Sequence, residues 1–469
     1  MPVHRLIHDK AGSVFAYPAE LDAWWQSRQQ MEARAAGWAE EKRPSVAILR
    51  FNDLSKERDQ DYFCDGVAEE ILGSLGKISG LRVISRVASF RLDPQSANLL
   101  ESARKLRAAF VIQGSVRKAN GNTKIAVQLT SAATGDQVWA ESYATDLSDI
   151  FAVQEEIARS VAAALELKLT TSESAALQWA PTSQLQAYDC YLRGRKHYYG
   201  YGPSDVDCAI RLFEKATRID PGYALAWAGL ADGWSYTYLY SERTAEALAR
   251  AQEAARHAVE MEPKLAQAHA SLALALSLAG AEAEIENEFE TALQLDPNLF
   301  EAWYFYARHA FAQGDLRKAI RLYEQAMRVR PEDYQSPLLV AQSYEETGSP
   351  ERARAVRLLG VKLAAEHLEY YPGDVRALYM GANGLVSLGR VQEGLEWAAR
   401  ARRMRPNDSM LLYNLGCVYA LAGKSTDALD CLELAVDSGL TQRGWFLHDS
   451  NLDTLRGSPR FEAILSRLP

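Results

Sequence analysis

The chain has 469 residues, and its 48% hydrophobic and 24% charged side chains are values typical of folded proteins. A chain of this length is too long to fold around a single hydrophobic core, so two or three domains are expected. Its net charge is −9, and residues 181–469 carry 31 Lys and Arg against 38 Asp and Glu, a net of −7 that disfavours phosphate backbones as partners. The sequence has five cysteines and no CxxC pair, which is typical of a protein in a reducing compartment. No apolar segment follows Met1 and no apolar run reaches about 20 residues, so neither a signal peptide nor a membrane span is predicted. Together these features predict a cytoplasmic protein.

Residues 1–43 predict a short hairpin around the polar turn Asp9–Gly12, followed by a helix that opens at Pro18. This segment resembles the wing hairpin and following helix of excisionase/MerR-like DNA-binding domains. On such a wing, Arg5 and Lys10 are the candidate contacts to DNA phosphates, and they would bind weakly and without sequence specificity. In that family a helix-turn-helix comes just before the wing, so nucleic acid is expected as a partner only if such a segment is encoded further upstream.

Residues 44–170 predict a mixed α/β domain. Short apolar runs suit buried strands, and segments with apolar residues three or four apart suit amphipathic helices. The predicted strands are Val46–Leu49, Leu81–Ile84, Phe110–Lys118, Thr123–Thr130 and Val138–Tyr143, and the predicted helices are Val67–Leu75, Leu99–Leu106 and Asp149–Leu169. Asp53–Asp61 is predicted as a loop, and Asn120-Gly121 as a tight hairpin turn because both residues tolerate positive φ.

The sequence of this domain resembles the TolB amino-terminal-like domain over its whole length. The resemblance is carried by Ser45–Ser55, Tyr62–Gly66 with Glu69-Glu70, Leu81–Arg86, Val111–Arg117, Thr134-Gly135, Trp139–Glu141 and Asp149–Phe151. It implies a regulatory or scaffolding protein, since such domains often precede tetratricopeptide arrays in bacteria and bring no settled catalytic site. The chain departs from the family at Arg50, usually proline, and at Cys64, usually alanine; the first change bears on how the first strand ends.

A repeat with a period of 34 residues follows a linker at 171–183. Prolines that end helical segments stand at positions 221, 263, 297, 331, 372 and 406, with gaps of 42, 34, 34, 41 and 34 residues. Such a period predicts helical hairpins stacked side by side into a solenoid. The seven extra residues before Pro372 are expected to lengthen the second helix of one hairpin. The eight extra residues before Pro263 are expected to lengthen the first helix and loop of another.

Positions within the period resemble the tetratricopeptide repeat. In one copy the pattern is formed by Trp303, Tyr306, Ala307, Gly314, Ala319, Tyr323, Ala326 and Pro331, and other copies repeat it. Small residues let helices approach closely, and bulky ones fill the gap to the next hairpin. The resemblance covers residues 184–440 and predicts about seven hairpins, with residues 441–469 as a capping segment. The predicted fold class is α+β, a small mixed α/β domain followed by an all-α tetratricopeptide superhelical solenoid.

The predicted function rests on the curved face that stacked hairpins leave open. First helices line this concave groove, and the side chains expected there are Gln267, Ala270, Leu274, Glu301, Tyr304, Arg308 and Phe311. A protein or peptide partner is expected in the groove, held by Tyr304 and Phe311 and oriented by Arg308. The primary interpretation is a non-enzymatic protein-binding scaffold or regulator, and the alternative is a transcription regulator whose helix-turn-helix is missing upstream. Homo-oligomerisation is left open.

No catalytic, cofactor or metal site is predicted. The phosphate-binding patterns GxxxxGK[ST] and GxGxxG do not occur in the sequence, and Gly114, in a predicted strand, is interpreted as structural. His4 and His8 lie on the predicted hairpin and are interpreted as solvated rather than as metal ligands. Glu69 and Glu70 are interpreted as a solvated helix face, with acid–base chemistry as the alternative.

Two clusters of side chains leave alternatives open. The aromatic cluster comprises Tyr188, Tyr191, Tyr198, Tyr199, Tyr201, Tyr223, Trp227, Trp234, Tyr236, Tyr238 and Tyr240. It either packs the first two hairpins together and against the α/β domain, or it is partly exposed and anchors a partner. The acidic cluster comprises Glu282, Glu284, Glu286, Glu288 and Glu290. It is interpreted as a solvated face at a helix start, with a docking strip for a basic peptide as the alternative.

Overall fold

The computed structural model describes residues 4–8, 11–15, 43–119, 122–146, 150–178, 180–199, 203–240, 243–280, 282–441 and 443–468. The chain divides into two compact units, Met1–Pro44 and Ser45–Pro469. In the first unit, β1 (His4–His8) pairs antiparallel with β2 (Ala11–Phe15), which confirms the predicted hairpin. Lys10 and the predicted helix at Pro18 lie outside the described residues.

The second unit begins with a six-stranded mixed sheet. Its strands are β3 (Ser45–Ile48), β4 (Asn52–Asp53), β5 (Arg82–Val83), β6 (Phe110–Ala119), β7 (Asn122–Ser131) and β8 (Gln137–Asp146). They are ordered β5-β3-β6-β7-β8, and β4 pairs with the second half of β6. β3 is parallel to both of its neighbours, whereas β6, β7 and β8 form an antiparallel meander.

Helices cover both faces of this sheet. They are α1 (Asp61–Gly76), α2 (Arg86–Ser89), α3 (Leu99–Lys105), α4 (Ile150–Ala164) and α5 (Thr171–Leu177). Because successive residues of a strand point to opposite faces, Val46 and Ile48 pack with the apolar sides of α1 and α4. Ala47 and Leu49 pack on the other face with residues of α2 and α3. The strand β3 is therefore buried on both sides, as its continuous apolar run predicts.

Every predicted strand and helix of this domain is present, with differences at the ends. The predicted loop after β3 contains β4. The last helix of the domain stops at Ala164 rather than Leu169, because Glu166 adopts a left-handed conformation with φ of 56°. The segment predicted as a linker contains α5, whose start is closed by a capping box between Thr170 and Glu173. The predicted turn at Asn120-Gly121 lies outside the described residues.

Gly114 lies on β6, where the ring of Phe51 is too close for any side chain at position 114. A Cβ atom built there would lie 2.4 Å from Cε2 of Phe51, so the structural interpretation of Gly114 is supported.

We expect Gly114→Ala to lower the free energy of unfolding by about 1–3 kcal/mol, the usual range for overpacking. The matched control is Gly73→Ala on α1, where no atom lies within 4 Å. It should raise stability by about 0.5–1 kcal/mol, because Ala favours the helix. Urea unfolding of both variants checks this pair, and equal shifts would contradict it.

Fourteen helices then form seven antiparallel hairpins among the described residues, which confirms the predicted solenoid. The first helix of each hairpin is α6 (Leu185–Tyr198), α8 (Ala224–Tyr240), α10 (Ala266–Ala279), α12 (Phe300–Ala312), α14 (Gln335–Glu346), α16 (Val375–Ser387) or α18 (Ser409–Leu421). The second helix is α7 (Pro203–Ile219), α9 (Ala245–Met261), α11 (Glu282–Leu295), α13 (Leu316–Val329), α15 (Pro350–Tyr370), α17 (Val391–Met404) or α19 (Ser425–Asp437).

The last hairpin is covered by a compact capping segment. It consists of α20 (Arg443–His448), a 3₁₀ helix (Ser450–Leu455) and α21 (Pro459–Ser466). Phe446, Leu452 and Phe461 are at most 1% exposed and join the core of the final hairpins. The predicted capping helix is therefore confirmed. No helix within the described ranges is long and apolar enough to span a membrane.

The two departures from the 34-residue period have different structural outcomes. α15 has 21 residues where α13 has 14, so all seven extra residues lengthen the second helix, as predicted. In the earlier hairpin, α8 and α9 each have 17 residues, so the extra length is shared by both helices rather than confined to the first helix and loop. The extension of α8 ends at Tyr240, which lies in the groove described below.

Candidate functional site

The seven predicted groove residues lie on two first helices, but they differ in accessibility. Gln267, Ala270 and Leu274 are on α10, and Glu301, Tyr304, Arg308 and Phe311 are on α12. Ala270 is 5% exposed and packs with Ala292 and Ala302, and Leu274 is 7% exposed. These two side chains fill contacts between helices, because close helix crossings require small or apolar residues there. The expectation that they face a groove occupant is therefore corrected.

Two further predicted residues, Gln267 and Glu301, have polar partners within the chain. The amide of Gln267 donates to Oδ2 of Asp232 at 3.3 Å. Glu301 accepts from Nη2 of Arg330 at 2.8 Å and keeps 44% of its side chain exposed. A ligand that contacts either residue therefore has to share these intramolecular hydrogen bonds or replace them.

Tyr304, Arg308 and two residues from distant hairpins form one cluster in the groove. The hydroxyl of Tyr304 donates to Oε1 of Gln335 at 3.1 Å and accepts from Nη2 of Arg376 at 3.0 Å. Nη1 of Arg308 donates to the hydroxyl of Tyr240 at 2.9 Å. The guanidinium of Arg376 lies 4.6 Å from the centre of the Tyr240 ring. We call Tyr240, Tyr304, Arg308 and Arg376 the arginine–phenol cluster.

This cluster connects three hairpins of the solenoid, because its members come from the second, fourth and sixth hairpins. Tyr304 is 4% exposed, whereas Tyr240, Arg308 and Arg376 are half-buried. Tyr304 is therefore a positioning residue that holds Arg376, not an accessible anchor as the sequence predicted. Tyr240 and Arg376 were missed, since Tyr240 lies in the hairpin that departs from the period and nothing local links it to Arg376.

The charges of the cluster are not balanced by carboxylates. Among the described residues, neither Arg308 nor Arg376 has an Asp or Glu oxygen within ion-pair distance. Burial works against their charge, but the facing phenols of Tyr240 and Tyr304 raise the pKa of Arg308 and of Arg376 above the usual value. Burial would likewise raise the pKa of Tyr240, yet the two guanidiniums outweigh it and lower that pKa. The cluster is thus a concentration of positive charge within an acidic chain.

Asp374, two residues before Arg376, has its carboxylate engaged by other groups. Oδ2 of Asp374 contacts Nε2 of His367 at 2.8 Å and accepts from the hydroxyl of Tyr334 at 3.2 Å. Its Oδ1 accepts from the backbone N–H groups of Arg376 and Ala377, which caps α16. Asp374 therefore fixes the start of the helix without neutralising the guanidinium of Arg376.

A second polar cluster joins the α/β domain to the solenoid. Glu69 on α1 accepts from Nε of Arg86 at 3.0 Å and from Nη2 of Arg195 on α6. The exposed fractions of these three side chains are 14%, 14% and 17%. The guanidinium of Arg86 also lies 3.9 Å from the centre of the Tyr199 ring. The interpretation of Glu69 as a solvated residue is therefore wrong, because its partner Arg195 could not be identified from spacing.

Glu70 lies beside this network and is held mostly away from water. Burial and the neighbouring charge of Glu69 raise the pKa of Glu70 to about 7. A carboxyl whose pKa is higher in the folded than in the unfolded chain stabilises the fold below about pH 4.5, and this contribution is lost as the pH rises through about 7.

We therefore expect Glu70→Gln to resemble the wild type in stability near pH 5. At pH 8 the variant should be more stable by about 1–3 kcal/mol, because the amide needs no proton to stay neutral. Urea midpoints measured between pH 5 and pH 8 check this. The exposed Glu396→Gln on α17 is the control and should show no such trend. A Glu70→Gln effect that is equal at every pH from 5 to 8 would contradict the assignment.

The aromatic cluster of the first hairpins divides between the two alternatives. Tyr188, Tyr191 and Tyr223 are at most 2% exposed, and Tyr188 contacts Phe151 of the α/β domain with ring centres 4.8 Å apart. These residues pack the hairpins and the domain together. Trp227, Trp234, Tyr236, Tyr238 and Tyr240 are half-buried, so these side chains are partly exposed, as the second alternative requires. Tyr201 lies outside the described residues.

The acidic cluster on α11 is a mostly exposed face, as the first interpretation has it, and its members also have partners within the chain. Glu286 pairs with Lys318 at 2.6 Å, Glu288 with His269 at 2.6 Å, and Glu284 with Arg256 at 3.7 Å. The buried His269 also contacts the carbonyl of Pro263 at 2.9 Å, so it is a packing residue. No group of His, Cys, Asp and Glu residues suited to a metal ion occurs in the described part of the chain.

Comparisons with known proteins support the repeat assignment. Residues 306–359 and 362–439 match the tetratricopeptide repeat model. A protein named "Putative adenylate cyclase 3" from Rhizobium meliloti (strain 1021) is 36% identical over 189 residues, which are 40% of this chain and 32% of that relative. The match therefore spans about a third of the relative's length.

Similar solved structures include IFIT1, as a monomeric mutant with Gppp-AAAA, and YrrB, a tetratricopeptide protein with an unusual peptide-binding site. The IFIT1 structure has a TM-score of 0.44 and 17% identity, and the match covers 67% of this chain and 76% of IFIT1. For YrrB the values are 0.28 and 21%, covering 40% of this chain and 93% of YrrB. Likenesses at this level carry no argument about what this chain binds.

Proposed function

We propose that the chain is a non-enzymatic scaffold whose concave groove holds an extended peptide segment of a partner protein. The observation that carries this proposal is the half-buried side chains of Tyr240, Arg308 and Arg376 on one inner face, contributed by three separate hairpins. Arg308 and Arg376 donate to the phenols of Tyr240 and Tyr304 from other hairpins, and among the described residues neither has a carboxylate partner. Arginine and aromatic residues are also the types most often found at the centres of protein interfaces.

In the proposed complex, the peptide runs across the first helices, as predicted from the sequence, but the contact residues are revised. Phe311 is half-buried on α12 and offers an apolar surface, and Arg308 orients the peptide. Gln267 and Glu301 lie beside them and supply polar contacts. Tyr304 acts indirectly, by holding Arg376 through its hydroxyl.

We also infer that residues 44–170 are a TolB amino-terminal-like regulatory domain. Its order of strands and helices and its docking on α6 through Glu69 and Arg195 support this inference. The transcription-regulator alternative rests on the hairpin β1–β2, and the contacts of Arg5 and Lys10 with DNA phosphates remain proposals. The Rhizobium relative carries the name of an adenylate cyclase, and the match to this chain covers 32% of that protein.

A displayed library of random peptides tests the groove directly. We expect the wild-type protein to select peptides that share a pattern, and Phe311→Ala to weaken their binding about tenfold or more, as for a contact at the centre of an interface. Arg321→Ala is the matched control, since Arg321 is exposed on the second helix α13. It should leave the dissociation constants unchanged. Failure to select any shared pattern, or equal binding by Phe311→Ala, would contradict the proposed function.

A further inference from the structure

Among the described helices of the solenoid, α15 is the longest, and it ends against the α/β domain. It has 21 residues where α13 has 14, and seven residues add about 10 Å to a helix. A helix of 14 residues that began at Pro350 would end before His367. Nη2 of Arg91, just after α2, donates to Nδ1 of His367 at 2.5 Å, and the guanidinium lies 5.6 Å from the centre of the Tyr370 ring. The added length of α15 therefore joins parts of the chain that are 276 residues apart in sequence.

A second contact beside this one joins the same two parts. Ser85, at the start of α2, donates to Glu332 in the turn between the fourth and fifth hairpins. The ring of Tyr371, at the end of α15, lies 5.7 Å from the Arg91 guanidinium and stacks on His367 with centres 4.9 Å apart. We call Ser85, Arg91, Glu332, His367 and Tyr371 the latch.

The latch is a weaker contact than the ion-pair network at the first hairpin. In that network Glu69 accepts from two guanidiniums that are less than a fifth exposed, and the chain itself connects the domain to α6 through α5. In the latch Arg91 faces a histidine instead of a carboxylate, and its Nε–H group is buried without an acceptor among the described residues. A buried donor left unpaired opposes docking. The free energy that closes the latch is therefore small, as a contact that opens and closes requires.

A chain of hydrogen bonds leads from the latch to the arginine–phenol cluster. Because Nδ1 of His367 accepts from Arg91, the ring proton is on Nε2, which donates to Oδ2 of Asp374 at 2.8 Å. The other oxygen of Asp374 accepts from the backbone N–H of Arg376 at 2.9 Å and caps α16. The side chain of Arg376 donates in turn to the hydroxyl of Tyr304 at 3.0 Å. The α/β domain and the groove are thus connected through the start of α16.

We propose that docking of the α/β domain at the latch holds the groove in its peptide-binding form, so that the domain regulates the scaffold. This regulation rests on the proposed function, because its output is the affinity of the groove. With the latch closed, His367 holds Asp374 in place. Asp374 then fixes the first turn of α16, which keeps the Arg376 guanidinium over the ring of Tyr240. With the latch open, the first turn of α16 loosens and the groove binds its peptide more weakly. By linkage, a bound peptide closes the latch by the same factor.

Hydrogen exchange of the full chain without any peptide tests the latch by itself. Arg91→Ala should speed exchange about fivefold or more at the backbone N–H groups of Arg376 and Ala377, which donate to Asp374. Arg91→Lys keeps a donor for His367 and should restore part of the protection. Circular dichroism establishes that both variants fold. Unchanged exchange at the start of α16 in Arg91→Ala would overturn the latch, whatever the groove binds.

Peptide binding tests the coupling to the groove. A peptide selected by the wild-type chain should bind Arg91→Ala about fivefold or more weakly by calorimetry, and Arg91→Lys should lie between the two. Arg117→Ala is the matched control, because Arg117 is exposed on β6 of the same domain, and it should bind as the wild type does. In the wild type the peptide should also slow exchange in α2, which it does not contact. This last measurement needs no variant, and a purely structural role of Arg91 would not produce it.

The outcomes separate the regulation from the proposed function. Equal peptide affinities of the wild type and Arg91→Ala, with no effect of the peptide on exchange in α2, would overturn the regulation and leave the proposed function standing. Tighter binding by Arg91→Ala would mean that the docked domain restrains the groove, and the proposed direction of regulation would be wrong. If no peptide binds the wild type, the proposed function fails and the regulation fails with it.

Discussion

Replacing Glu69 by alanine is expected to lower the free energy of unfolding by about 3–5 kcal/mol, the range for breaking one partner of a buried ion pair. The carboxylate accepts from Arg86 within the α/β domain and from Arg195 in the first hairpin, and all three side chains are less than a fifth exposed. Removing it leaves two guanidiniums close together without a counter-charge. Because Glu69 lies between the domain and the solenoid, the loss should appear as easier separation of these two parts.

Urea unfolding followed by circular dichroism measures this loss. The matched control is Glu246→Ala, which removes an ion pair with Arg250 at 2.8 Å on the solvent side of α9. Since the side chain of Glu246 is 71% exposed, the control should change stability by no more than about 0.5 kcal/mol. A Glu69→Ala effect as small as that of the control would show that the three-residue network contributes nothing.

Phe213→Ala should destabilise the chain by about 3–5 kcal/mol, because it empties the space where the first two hairpins meet. Phe213 lies on α7 and is 0% exposed. Its ring fills the positions where Cβ atoms of Gly194 and Gly229 would otherwise stand, at 2.6 Å and 3.0 Å. It also contacts the ring of Tyr191, with centres 5.8 Å apart. Two neighbouring helices therefore use glycine to make room for this one ring.

The size of the cavity can be graded with a second substitution at the same site. Phe213→Leu keeps most of the volume and should cost about 1–1.5 kcal/mol, as volume-conserving changes do. Urea midpoints of the wild type and the two variants give the order. If Phe213→Leu destabilises the chain as much as Phe213→Ala does, the shape of the ring matters at this site rather than the filled volume. If both variants have only a small effect, the packing described for α6, α7 and α8 is contradicted.

The sequence predicted the architecture well because the boundary residues of the repeats act locally. Prolines and glycines end helices through their own backbone preferences, so the positions of Pro331 and Gly314 are informative without any tertiary contact. Gly314 indeed adopts a left-handed conformation, with φ of 78°. For the same reason the seven added residues before Pro372 could be assigned to α15, since a helix without a breaker simply continues.

The candidate site was predicted less completely because its residues meet across the curve of the solenoid. Arg308 and Tyr304 were identified from their place in the period, but Tyr240 and Arg376 come from hairpins two and six. The burial of Ala270 and Leu274 was also missed. The helix α10 carries apolar residues on nearly all of its sides, so its sequence does not indicate which side faces the groove. Contacts of this kind depend on superhelical pitch, which no local pattern determines.

The groove assignment is tested most directly by photocrosslinking a selected peptide that carries a photoreactive group at each position in turn, followed by mass spectrometry of the joined residues. The account predicts crosslinks on α8, α12 and α16, around Tyr240, Phe311 and Arg376, and their loss when unlabelled peptide is added in excess. Competable crosslinks confined to the second helices, or to the sheet of the α/β domain, would contradict it.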